Sequence, residues 1–282
     1  MKNSFKTIIA LLFLSQIAVA QTSRFVYQAT MRLDSTAVPK TENAYLDISP
    51  EKSIFYSEKR LKRDSIVEKM RATRSFDRNL MQNLNSNMDY IIEKDLVKNT
   101  TTFKSRLGRD QYSYEEDRKI DWKILPETVK IGEYSTQKAE TFFGGRKWYA
   151  WFSQDIPFQD GPYKFKGLPG LIIKVEDAKG DYSFDLKETK KIEFFPNFDT
   201  RMGTMIKVKR IDFEKQQQKF NKDPMSFFQQ GNMIFAGGAR GEAGGPPPPP
   251  PGMESNPERR KMMEERLREE IKQNNNPIEL LK

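Results

Sequence analysis

Apolar and polar side chains alternate from Ser23 onward. Phe25, Tyr27, Ala29, Met31 and Leu33 fall on one side of an extended chain and Gln28, Thr30 and Arg32 on the other, the period of two that a half-buried strand requires. Shorter runs of the same character follow at residues 44–48, 53–57, 89–97, 100–107, 111–114 and 130–135, each bounded by polar or glycine-containing turns. Residues 139–152 read as two strand halves around Gly144-Gly145, a pair suited to a hairpin turn. Residues 171–175 and 182–186 read as two further strands joined by a turn at 177–181. Short connections between neighbouring strands favour antiparallel, meander-like pairing.

Residues 58–84 break the alternation. Leu61, Ile66, Met70, Phe76, Leu80 and Leu84 lie amid dense charge without proline, which predicts a surface helix laid by one face on a sheet. A second helix is predicted over 211–221, ending before Asp223-Pro224 because proline disfavours helical geometry in the residue preceding it. Asn256-Pro257-Glu258 combines an N-cap, a first-turn proline and an acid, and so opens a third helix running to about Lys272, with Met263, Leu267 and Ile271 as a narrow apolar stripe. The predicted fold class is β-rich α+β: a curved antiparallel sheet of roughly eight to ten strands packed on the long 58–84 helix.

The ends of the chain have a different composition. Residues 1–20 carry Lys2 and Lys6, an apolar run from Ile8 to Leu14 and the small-residue site Ala18-Val19-Ala20, the pattern of a secretory signal peptide cleaved after Ala20. No later run approaches the ~20 apolar residues of a membrane-spanning helix. Residues 21–230 then form the expected β-rich domain. Residues 231–256, with Gly237-Gly238, Gly244-Gly245 and the prolines from Pro246 to Pro251, are expected to be a disordered linker with polyproline II character, and 257–282 a helical tail.

The densest local information lies between Trp148 and Leu186. In Leu168-Pro169-Gly170-Leu171 a proline presets φ and a glycine supplies the positive φ of a type II turn, so the chain reverses there. The hexapeptide Gly167, Leu168, Pro169, Gly170, Leu171, Ile172 resembles the signature of the GLPGLI family of secreted proteins from Gram-negative bacteria. Flanking residues strengthen the resemblance: Gln137-Lys138-Ala139, Gly145-Arg146, Trp148, Ala150-Trp151-Phe152, Ile156-Pro157, Gly161-Pro162, Phe165 and the later Asn276-Pro277-Ile278-Glu279-Leu280. Thr136 stands where many members carry a cysteine, so no thiol role transfers. The resemblance implies an envelope protein without an established catalytic activity, associated with TonB-dependent outer-membrane transport.

Composition narrows the chemistry. The 282-residue chain has no His and no Cys, which excludes a Ser-His-Asp triad, a thiol nucleophile and a zinc–thiolate site. Its net charge of +9 comes from basic and acidic residues interleaved throughout, unlike the single basic stripe of a nucleic-acid binder. No cofactor or metal site is expected. Asp155 and Asp160 are the carboxylate pair that a hydrolase of envelope polymers would use, and turn capping is the simpler reading of both. Trp148, Trp151, Tyr163 and Phe165, with Arg146 and Lys164 as anchors for an anionic group, are the candidate binding residues; the alternative is a strand with both faces buried. The expected function is a non-enzymatic periplasmic or secreted accessory protein that binds an outer-membrane protein or an apolar or peptide ligand, the alternatives being the carboxylate hydrolase and a purely structural envelope protein.

Overall fold

The computed structural model describes residues 22–74, 84–198, 205–229 and 257–280. The expected signal peptide, the linker and residues 75–83 of the expected long helix lie outside the described residues. In chain order the strands are β1 (Thr22–Met31), β2 (Lys40–Ile48), β3 (Lys52–Ser57), β4 (Tyr90–Asp95), β5 (Thr100–Leu107), β6 (Asp110–Glu115), β7 (Lys123–Ile131), β8 (Tyr134–Phe143), β9 (Arg146–Ser153), β10 (Leu171–Asp177), β11 (Tyr182–Ile192) and β12 (Met205–Lys207). The helices are α1 (Glu58–Thr73), α2 (Arg210–Lys222), the single turn α3 (Ser226–Gln229) and α4 (Pro257–Lys272).

The strands form one open sheet in the order β12-β6-β5-β4-β3-β2-β1-β11-β10-β9-β8-β7. Every pairing is antiparallel except β12 with β6. Most neighbours are consecutive in sequence, as short polar turns dictate; β1 joins the two halves by pairing with both β2 and β11. The alternation in β1 holds, with Phe25, Tyr27, Ala29 and Met31 buried and a register shift at Val26/Tyr27 that bends the strand.

Residues 130–135, expected to be one strand, are the end of β7 and the start of β8 around a two-residue turn at Gly132-Glu133. Gly132 takes a φ of 60° there, which a strand cannot accommodate. The Gly144-Gly145 pair behaves as its composition requires: both residues have positive φ, 59° and 78°, and they join β8 to β9 in a two-residue turn.

The two halves of the sheet curl towards each other. Phe103 and Tyr114, from β5 and β6, share one core with Phe143 and Trp148, from β8 and β9, although those strands lie near opposite ends of the order. The space between them is filled by the loop 154–170, whose Phe165 meets Trp148 edge-on at 4.8 Å and Phe143 at 6.2 Å. The main core is therefore sheet and loop, and the expected packing of the sheet on the 58–84 helix is seen only through the first turns of that helix among the described residues. Helix α1 lies against the other face, where Leu61 packs on a small cluster of Ile54, Tyr56, Ile91 and Phe198, and Arg60 is its one buried side chain among those described. Helix α2 contributes Phe213, which sits against Phe103, Tyr112 and Tyr114. In α4 no residue is buried.

Candidate functional site

The loop 154–170 organises the interior. Its turn is tighter than the type II turn predicted: Gly170 N–H donates to the Leu168 carbonyl at 2.8 Å, closing a three-residue γ-turn over Pro169, while Leu171 N–H donates to Ile156 at 3.1 Å. Gly170 has φ 151°, and a Cβ there would collide with the Ser153 carbonyl. Glycine is required because two backbone segments touch. Leu168, Leu171 and Ile172 are buried while Gly167 and Pro169 are exposed, so the signature turns its apolar side chains inward.

Asp160 is the loop's first polar anchor. Its carboxylate accepts from Lys94 of β4 at 2.5 Å and from the Ser53 hydroxyl of β3; Lys94 also donates to the Gly161 and Phe165 carbonyls at 2.7 and 3.1 Å. Asp160, Lys94 and Ser53 are all buried. Burial pulls the Lys94 pKa below its ordinary value against the opposing attraction of Asp160. Asp155 is exposed and accepts from Ser153, so the two aspartates share no solvent-facing cleft.

Lys164 is the second anchor. Its ammonium lies between the rings of Phe103, Tyr114, Phe143 and Tyr163, all within 5.1–5.9 Å, and donates to Glu116 at 2.7 Å and to Glu279 at 2.5 Å. Arg118 closes the network by donating to Glu116 and Glu279, each at a shortest distance of 2.6 Å. Burial works against the Lys164 charge, yet Glu279, Tyr114 and Glu116 override it and raise its pKa. Burial likewise opposes ionisation of Glu116, but hydrogen bonds from Arg118 and Lys164 take it down to about 2. Glu279 is lowered in the same way by Lys164 and Arg118. Tyr163 adopts a left-handed φ of 54°, a conformation disfavoured in a bulky residue; it is held by Tyr90 against its ring and by its hydroxyl bond to Glu279.

Glu279 belongs to a segment, 276–280, that follows α4. Arg146 donates to the Asn276 side-chain oxygen at 2.5 Å and to the Pro277 carbonyl at 2.8 Å, while its other terminal nitrogen donates to Asp177 at 2.8 Å. Tyr182 donates to the Asn276 carbonyl, and Asn276 donates to the carbonyls of Arg32 and Leu33. Leu280 N–H reaches the Gly144 carbonyl at 2.8 Å.

The remaining aromatic face is outside. Odd positions of β9 point away from the interior: Trp151 and Tyr149 are half-buried, whereas Trp148, Ala150 and Phe152 are fully buried. Lys174 and Lys138 lie 5.2 and 5.7 Å from the Trp151 ring, and Lys138 and Lys147 lie 4.9 and 5.2 Å from the Tyr149 ring. A shallow groove of about 380 Å³ runs beside Trp151, walled by Glu127, Val129 and Ile131 of β7. Strand β7 pairs only with β8 among the described residues, and Ile124 and Val129 are about half exposed on it.

Of the six candidate binding residues, Trp148, Tyr163 and Phe165 therefore lie in the core, Arg146 and Lys164 bind groups of the chain itself, and Trp151 faces the groove. Sequence reading missed Lys94, Arg118 and Glu116, whose partners are remote in sequence. It noted Asn276 and Glu279 only through the family-like ending. Among the described residues no group of three acidic side chains is placed to hold a metal ion, and no helix is long and apolar enough to cross a membrane.

A family model described as "Protein of unknown function (Porph_ging)" matches residues 145–174, the span from the start of β9 through the loop into β10. The match covers the loop and the strands that hold it. No curated protein matches the chain. Among solved structures, PNGF-II in its P21 space group is 18% identical with a TM-score of 0.52, covering 71% of this chain and 34% of its own; PNGF-II in its C2 space group gives 17%, 0.51, 71% and 33%. This chain spans about a third of the length of those chains. At such identity the likeness is one of fold.

Proposed function

We propose that this is an exported, non-enzymatic accessory protein of the cell envelope that holds an extended segment of an outer-membrane partner along the free edge of β7. The observation that carries the reading is the open outer edge of β7, which pairs with β8 on one side only among the described residues, together with exposed Val129 and a groove that β7 shares with the Trp151 ring. Strand addition satisfies such an edge through main-chain hydrogen bonds while alternate side chains fill adjacent grooves. The register shift between Ile124 and Thr128, with Pro126 inside it, limits regular pairing to the short stretch after it, which disfavours indiscriminate edge-to-edge aggregation. The signal-peptide pattern of residues 1–20 supports the address, and the family resemblance supports a partner in TonB-dependent transport.

The test is native mass spectrometry of the chain from Gln21, purified gently from its own envelope fraction. A stoichiometric protein partner is expected, reduced at least about tenfold by Trp151→Ala or Val129→Pro, with the melting midpoint little changed in the Trp151 variant. A bare monomer, or a partner indifferent to both substitutions, would overturn the reading.

A further inference from the structure

The segment 276–280 is held the way a protein holds a peptide ligand. Side chain and backbone are both read: Asn276 is met at its side-chain oxygen, side-chain nitrogen, amide and carbonyl by Arg146, Arg32, Leu33 and Tyr182, and Glu279 is met by Tyr163, Lys164 and Arg118. The Gly144-Gly145 turn is bare where the segment crosses it; a Cβ on either glycine would come within 2.9 Å of Glu279 or Leu280. By contrast α4, which delivers the segment, buries no residue, and its ion pairs Arg266–Glu270 and Arg268–Glu264 run within the helix. The stretch 230–256 joining α4 to the rest of the chain could span on the order of 90 Å if fully extended, so the segment's position is fixed by its own contacts.

We infer that this groove is a recognition site for Asn-Pro-X-Glu segments, and that it accepts the segment of a second copy of the chain as well as its own. The chemistry is specific. Arg146, held by Asp177, reads the asparagine and the following carbonyl with one nitrogen; a dry cationic pocket reads the glutamate, where charge-assisted hydrogen bonds are strong; and the proline between them favours the extended backbone that fits the groove. A lysine caged by four rings and two carboxylates is a preorganised carboxylate receptor, with Glu116 already half neutralising it. The inference is independent of the β7 edge, which lies elsewhere on the sheet.

The experiment uses the chain from Gln21 with Asn276→Ala and Glu279→Gln, which weakens the resident segment and leaves the groove residues unchanged. A fluorescein-labelled synthetic peptide of residues 274–280 is titrated into it and read by anisotropy. Saturable binding is expected, at least about tenfold weaker for the peptide carrying Glu279→Gln and at least about tenfold weaker in the unsubstituted chain, whose groove is occupied. Absence of saturable binding to a double variant that keeps its native near-ultraviolet signal would overturn the inference. If the double variant loses its fold, the unsubstituted chain decides: millimolar peptide, the effective-concentration scale of a tethered segment, is expected to speed hydrogen exchange at the Leu280 amide, and unchanged exchange would overturn it. Trp151→Ala leaves peptide binding intact if this site and the β7 edge are distinct.

Discussion

Single residues decide this structure where backbone or charge has no alternative partner. Gly170 stands against the Ser153 carbonyl at φ 151°, so Gly170→Ala is expected to cost about 3 kcal/mol, measured by urea denaturation; a change below about 1 kcal/mol would show that the loop can shift away. Lys94 and Asp160 form a buried pair. Removing one partner leaves an uncompensated charge, so Lys94→Met is expected to destabilise by about 3–5 kcal/mol, and adding Asp160→Leu to that variant should restore part of the loss. Equal stabilities for the single and double variants would mean that the lost bonds to Gly161 and Phe165, and not the stranded carboxylate, dominate.

Elements differ in how they are held. Helix α2 is anchored by the buried Phe213 among three aromatic rings, whereas the stripe Met263, Leu267 and Ile271 of α4 stays half exposed. Phe213→Ala is therefore expected to cost about 3–5 kcal/mol, and Leu267→Ala less than about 1 kcal/mol. Comparable losses would mean that α4 docks more firmly than its exposure implies. The elements were legible in the sequence to different degrees. The 211–221 and 257–272 helices, the Gly144-Gly145 hairpin and most strands follow from local period and turn chemistry. The 130–135 run was misread because Ile131 and Tyr134, flanking Gly132-Glu133, look like strand residues wherever the turn between them falls. The γ-turn in the signature loop escaped for the opposite reason: Leu171 N–H finds a partner in Ile156, outside the four residues that define a turn locally.

The whole molecule is a curled sheet closed over charged groups, which makes its stability sensitive to acid. Glu116 and Glu279 both titrate below the ordinary carboxylate range in the folded state. A depressed folded pKa contributes stability that is fully present above the unfolded value, near 4.5, and is lost as pH falls through the folded value, about 2 for Glu116. Unfolding free energy is thus expected to fall between about pH 4.5 and pH 2, and Glu279→Gln to flatten that limb while lowering stability at neutral pH. A variant with an unchanged acid limb would show that other carboxylates set it.

The sequence by itself determined most of the periods: most strands, the starts of the helices, the Gly144-Gly145 turn, and that the stretch around Leu168-Pro169-Gly170 is a shaped loop rich in aromatics. Those properties depend on neighbours a few positions apart. Tertiary structure alone decided where that loop goes and what its charges do. Trp148 and Trp151 lie three positions apart on one strand, yet one is sealed in the core and the other floors a surface groove, because only the curl of the sheet distinguishes an inner from an outer face. Lys164 is indistinguishable in sequence from a solvated lysine; it becomes a caged ammonium only when Glu116 and Glu279 are brought to it. A buried charge is stable only with partners present, and these partners come from distant parts of the chain.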